Sequence, residues 1–372
     1  MAVMRELELT KQAYHHFRNL YPGEELCISV NQDKEVMDWV REVAMWDLNL
    51  KWAWTENVIS FGENYNKAVS LATKDKIVLY HNDMIPAPGF LENLDTNEDP
   101  MFVLGYTTVE PPVFPDHDRP GKIIQEFGRE FNTFEKEKFQ MFASQIPAAV
   151  SDGTFFFLSC FKKTFDEIGG FDEKTFNTYF CEDDDLILRL LLHGCQTRTT
   201  SSSVVYHLVS KTSRFSNTPF NFYNTSVTSL EMNSQKNFIR KWGGRYYGHD
   251  NKKVSVYDIG YNISHGNENV IAFLEPFAKN IKVDCSVDNF IRTAQPTSTT
   301  SLSNKFVSDL TNQVIVHIDG YKLNQTVVDH LLALPKVLPT VQEIGKFKYS
   351  EFTVEIRELP ADLADTLIVI ER

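Results

Sequence analysis

The segment KIVLYHNDMIPAPGF, from Lys76 to Phe90, constrains the fold of this chain more than any other. KIVLY is a continuous apolar run, the kind buried on both faces inside a parallel sheet. It stops at His81-Asn82-Asp83, and Pro86 and Pro88 forbid continuation as a regular element. Ligands gather at the carboxyl ends of such strands in α/β sheets. The flanking sequence fits this reading. Leu26 to Gln32 predicts a strand running directly into a helix with Val36, Trp39, Val40 and Val43 at helical spacing. KWAWTENV predicts a second strand, and FGENYNKAVSLAT a turn at Gly62 followed by a helix with Tyr65, Ala68, Val69 and Ala72 on one side. Further strands are expected over Met101 to Tyr106 and over Ser151 to Lys163, the latter opened by a flexible Gly153. Between them lie a proline-rich loop, Glu110 to Gly121, and a helical stretch from Lys122 to about Phe142.

A second segment carries the chemistry. CEDDDLILRLLLHG, Cys181 to Gly194, sets four consecutive carboxylates at the start of an amphipathic helix closed by glycine. The positive end of the helix dipole partly compensates such crowding. Residues three or four apart share a face, so Asp185 can pair with Arg189 while Leu186, Ile187, Leu190 and Leu191 face a core. Glu182, Asp183 and Asp184 are left to point into a cleft. Upstream lies EIGGFDEKTF, Glu167 to Phe176, and downstream SSVVYHLVSKTS, Ser202 to Ser213, with His207 ending an apolar run.

Composition narrows the class. The chain has 372 residues, enough for one large and one smaller domain. Apolar residues make up 42% and 28 phenylalanines are present, which argues for a packed core and against disorder. A net charge of −13 disfavours a generic nucleic-acid binder. The five cysteines show no zinc or disulfide spacing, which suits a reducing cytoplasm. No apolar run approaches the roughly 18–20 residues of a membrane span, and no signal-peptide core is present. A change of texture near Tyr247 to Lys253 places a boundary between residues 1–250 and a small α/β domain, 251–372, that carries no readable motif.

The order GGFDE, then ED-x-DL with an arginine and a glycine, then His207, resembles the inverting glycosyltransferases of family 2. The likeness covers roughly Leu26 to Gly244. It implies a GT-A fold, a Rossmann-like mixed sheet flanked by helices, and transfer of a sugar from a nucleotide-sugar donor to an acceptor hydroxyl. Asp183 becomes the general base, with an ordinary carboxylate pKa near 4, and Glu182 orients the acceptor. Asp83 and His207 become ligands of a divalent metal, manganese or magnesium, with His81 replacing the first carboxylate of a DxD-type triplet. Donor or acceptor would lie against Val30, Asn31, Gly62, Asn66, Asn82 and Gly153, with Lys211 and Arg214 over the diphosphate. A UDP-sugar is the favoured donor, although the DDGS-like segment of many relatives is absent at Trp54-Thr55-Glu56-Asn57. Two other readings stand beside this one. The acceptor could be a modified base in DNA, contacted by Lys236, Arg240, Lys241, Arg245, Lys252 and Lys253, or the chain could be a catalytically inactive sugar-nucleotide-binding scaffold. The last 120 or so residues are expected either to mediate homo-oligomerisation or to grip the acceptor.

Overall fold

The structure, a computed structural model, describes residues 1–371 except 97, 114–118 and 212–225. Its first sheet is parallel, with β1 (Ala2–Val3), β2 (Leu26–Asn31) and β3 (Leu50–Thr55) in the order β1–β2–β3. The second is mixed and seven-stranded. It contains β4 (Lys76–Val78), β5 (Met84–Pro86), β6 (Phe102–Glu110), β7 (Lys122–Ile124), β8 (Val150–Asp152), β9 (Leu158–Phe161) and β10 (Gln196–His207). The path runs β4–β9–β6–β10–β5, with β7 beside β6 and β8 beside β10. The mixed α/β class read from the sequence is what the structure has.

Local chemistry sets the helices that cover these sheets. Asp33 caps the Lys34–Val43 helix by accepting from the Val36 N–H, and Ser60 caps Phe61–Ser70 by accepting from Glu63. Val36, Val40 and Val43 recur at helical spacing and are buried against the sheet. One apolar cluster joins Ile28 and Val30 to Tyr65, Leu79, Val103, Leu158 and Leu186, so the strand ends and the acidic helix share a core.

Four sequence expectations are corrected. KIVLY is not an interior strand of a parallel sheet: β4 covers only Lys76–Val78, stands at the end of the strand order and pairs antiparallel with β9. Pro86 does not stop regular structure but closes β5 opposite Val205, where proline is tolerated because β5 lies at the sheet's other end. The stretch from Lys122 to Phe142 is not one helix but β7, a 3-10 turn at Phe131–Thr133, and a helix at Lys136–Gln145. Gly128 at φ 116 breaks the run, and Phe127, Phe134 and Phe139 each turn towards Tyr206 instead of sharing a helical face. The strand expected over Ser151 to Lys163 is split into β8 and β9. Gly153 at φ 85 sits so close to the His249 carbonyl that an added Cβ would lie 2.5 Å from its oxygen.

The remaining strands, β11 (Ile259–Ser264), β12 (Asn280–Val283), β13 (Val314–Asp319), β14 (Gly345–Tyr349) and β15 (Phe352–Ile356), form a third sheet ordered β12–β11–β13–β15–β14. It has its own apolar core around Ile263, Ile281, Val316, Leu331 and Val354. An ionic contact ties it to the preceding part: buried Glu275 binds Arg240 of the Val227–Trp242 helix at 2.7 Å, and Lys305 from its own part joins at 2.7 Å. Among the described residues, no helix is long and apolar enough to cross a membrane.

Candidate active site

Strand register brings the two ends of the sequence pattern together. β5 runs antiparallel to β10, with Met84 opposite His207, and the Leu208 N–H donates to the Asp83 carbonyl at 2.9 Å. Asp83 therefore lies beside His207, although 124 residues separate them in the chain. His81, two residues before Asp83, joins them, and ligating atoms of His81, Asp83 and His207 all fall within 4.8 Å of one another. His207 Nε2 stands 3.4 Å from Asp83 Oδ1, and His81 Nδ1 stands 3.7 Å from the same oxygen.

These donors fit a divalent cation. Asp83 Oδ1 and His81 Nε2 are buried without a hydrogen-bond partner among the described residues, and buried polar atoms are rarely left so. Two imidazoles with one carboxylate are a donor set suited to a transition metal, and manganese fits it better than magnesium. Burial opposes charge on Asp83, yet His207 and His81 hold its carboxyl well below the usual range. Burial also opposes charge on His207, and the Asp83 and Glu110 carboxylates overcome it, raising the imidazole to about 9.

The triad opens into a cavity of about 410 Å³. The Glu182–Leu192 helix presents Glu182, Asp183 and Asp184 to the same cavity. The helix is aimed by strained backbone: Phe180 and Cys181 are consecutive left-handed residues at φ 78 and 68, and neither is glycine. Val209 and Ser210, just after His207, repeat this at φ 63 and 54. Strain of this kind costs about 1–3 kcal/mol per residue and clusters at functional sites. Burial raises all three carboxyls, and Asp183 further raises Glu182 and Asp184; the backbone N–H groups of Asp184 and Asp183, and then the His81 and His249 imidazoles, partly offset the shift on Asp183. Asp183 is thus a carboxyl raised above its ordinary value, where the sequence alone suggested an unshifted one. Asp184 accepts the Gly248 N–H at 2.9 Å, and Glu182 Oε2 has no hydrogen-bond partner among the described residues.

Asp185 faces away from the cavity, as its spacing indicated. It binds Arg189 at 2.8 Å and accepts from the Trp242 indole at 3.0 Å, with Lys241 also in contact. Arg189 in turn donates to the carbonyls of Ile168 and Gly170, at 2.8 and 2.6 Å, fixing the GGF turn.

The other expected site residues are placed as follows. Asn82 lines the cavity and donates to Thr10 Oγ1 at 3.1 Å. Lys211 donates its backbone N–H to Asp83 Oδ2 at 3.4 Å, while its ammonium binds Glu130. Val30, Asn31, Gly62, Asn66 and Gly153 do not line this cavity. Val30 is core, and Asn31 bridges the carbonyls of Thr55 and Asn57 at 2.9 and 2.7 Å. Gly62 lets its helix close on Phe171, whose Cβ would lie 2.9 Å from an added Cβ. Asn66 pairs with both backbone groups of Phe171. Arg214 lies outside the described residues. Of the basic surface suggested for DNA, Arg240 and Lys241 are consumed by buried ion pairs.

Two residues escaped the sequence reading. Glu110, the last of β6, accepts from His207 Nδ1 at 3.0 Å, and Arg119 pairs with Glu110. Their one signal was that they lie near the two ends of the proline-rich stretch from Glu110 to Gly121.

No family model matches the sequence, and no curated protein matches it. Solved structures do. One is the crystal structure of GalNAc-T7 with UDP, GalNAc and Mn2+, at 11% identity and TM-score 0.43 over 64% of this chain and 47% of that one. Another is S. aureus TarS 1-349 in complex with UDP-GlcNAc, at 14% identity and TM-score 0.36 over 56% of this chain and 60% of that one. A further crystal structure of S. aureus TarS is matched at 13% identity and TM-score 0.39, over 56% of this chain and 36% of that one. The chain thus spans between about a third and three fifths of these proteins. Fold and site together define a mixed-sheet α/β protein with a candidate metal centre facing an acidic helix.

Proposed function

We propose that this protein is a metal-dependent glycosyltransferase, moving a sugar from a nucleotide-sugar donor, UDP-sugar by preference, to an acceptor hydroxyl with inversion. The observation that carries the reading is the convergence of His81, Asp83 and His207 in a cavity that Asp183 also lines. His81, Asp83 and His207 would hold the cation, which when bound neutralises the diphosphate leaving group. Asp183, ionised, takes the acceptor proton as the acceptor oxygen bonds to the anomeric carbon. The bond from that carbon to the diphosphate breaks in the same displacement, and its electron pair leaves with the nucleotide. Glu182, beside Asp183 in the cavity, orients the acceptor, and the surrounding Phe156, Phe157 and Tyr179 exclude water.

The test is release of nucleoside diphosphate from a panel of nucleotide sugars with and without manganese. Asp183→Asn should lower turnover by about 10²–10⁴-fold while manganese binding persists. Metal-independent turnover, or full activity in Asp183→Asn, would refute the reading.

A further inference from the structure

We propose that Glu110 is a positioning residue for the candidate metal site: it fixes His207 as the Nδ1–H tautomer, so that Nε2 is the nitrogen presented to the cation. The proposal rests on the metal reading above. An imidazole can ligate only through an unprotonated nitrogen, and the partner of the other nitrogen decides which one that is. A carboxylate accepts and cannot donate, so Glu110 Oε1, 3.0 Å from His207 Nδ1, requires the proton there. The opposite nitrogen, Nε2, is the one facing Asp83 at 3.4 Å.

The surroundings hold Glu110 to this task. β6 and β10 are parallel neighbours with Val109 opposite Tyr206, so Glu110 comes level with His207 at the same sheet edge. Glu110 is only 6% exposed, and its carboxylate accepts from Thr108 Oγ1 at 3.0 Å as well as from Arg119. Arg119 is itself clamped. Its Nη2 donates to Thr108 Oγ1 at 3.1 Å, and its guanidinium lies 4.4 Å from the Phe155 ring centroid and 5.2 Å from that of Phe157. Phe157 also meets the His207 imidazole edge-on, with centroids 5.0 Å apart. One ring therefore packs on both the cation behind Glu110 and the imidazole in front of it. Arg119 offsets the charge of Glu110, so the carboxylate orients His207 without adding a second uncompensated anion beside Asp83. Arg119 stands beside the end of β6, where the Thr108 N–H donates to the Gly121 carbonyl at 2.7 Å.

A purely structural ion pair would have the same geometry, so the test reads the metal and not stability alone. Manganese binding to the full chain is measured by electron paramagnetic resonance for wild type, Asp83→Asn, Glu110→Gln and Glu110→Leu, each with its melting temperature. Wild type should bind and Asp83→Asn should not. Glu110→Leu should bind about 10–100-fold more weakly, and Glu110→Gln, which keeps an acceptor oxygen, should recover part of that loss. Nitrogen-edited spectra of the zinc-loaded wild type should place the His207 proton on Nδ1, a result that needs no Glu110 variant to fold. A folded Glu110→Leu with wild-type manganese affinity, or a zinc-loaded His207 protonated on Nε2, overturns the proposal alone. Wild type that binds neither ion overturns the metal reading and this proposal with it.

Discussion

Glu182 is buried at 5% exposure with one carboxylate oxygen lacking a hydrogen-bond partner among the described residues. Asp83 is just as buried but has two imidazoles beside it, and the two carboxyls shift in opposite directions. A carboxyl whose folded-state pKa is raised binds its proton more tightly when native, so stability falls as pH rises above the ordinary carboxylate range. Glutamine mimics the neutral form. Metal-free Glu182→Gln should therefore melt higher than wild type near pH 8, by about 2–4 °C per kcal/mol relieved, and the gap should narrow towards about pH 5; thermal scans across that range measure it. An equal gap at both ends would mean Glu182 is ordinarily ionised. At this scale the sequence was informative where chemistry is local. Asp83 sits in the turn just before β5 and Asp183 lies in the first turn of a helix, and each is exceptional within its own segment. Glu110 is ordinary in its segment. Only the parallel register of β6 and β10, a tertiary fact, brings it to His207.

The Glu182–Leu192 helix works as an element because its two faces have different owners. Asp183 and Asp184 look into the cavity, while Asp185 and Arg189 form a fully buried pair beneath. Removing one member of a buried pair leaves the other charge unmatched and costs about 3–5 kcal/mol. Arg189→Met should lower urea stability by about that amount, and it should also loosen the GGF turn, whose Ile168 and Gly170 carbonyls lose their donor. A loss below about 1 kcal/mol would show that Lys241 and Trp242 suffice to hold Asp185. This pair was legible because spacing of four residues on a helix is geometry written along the chain. The stretch from Lys122 to Phe142 was not, because its phenylalanines answer to Tyr206 on another strand and Gly128 interrupts the period.

For the whole molecule, a ligand bound only by the native state adds stability by mass action, about 2.7 kcal/mol at a hundred times its dissociation constant. Manganese should raise the melting temperature of wild type, a chelator should reverse the rise, and Asp83→Asn should show none; calorimetry with and without the ion decides. The alternating strands and helices made the α/β class readable in advance, but how the third sheet joins the rest was not, since ion pairs between distant segments leave no trace in spacing. Glu275 belongs to that later part and neutralises Arg240 on the helix whose Lys241 and Trp242 support Asp185. The Arg240–Glu275 pair therefore couples the two parts of the chain. A chimera pairing residues 1–250 with a foreign tail would strand a cation at the seam, and the damage would surface at the far end of the chain of contacts, in the aim of the carboxylates.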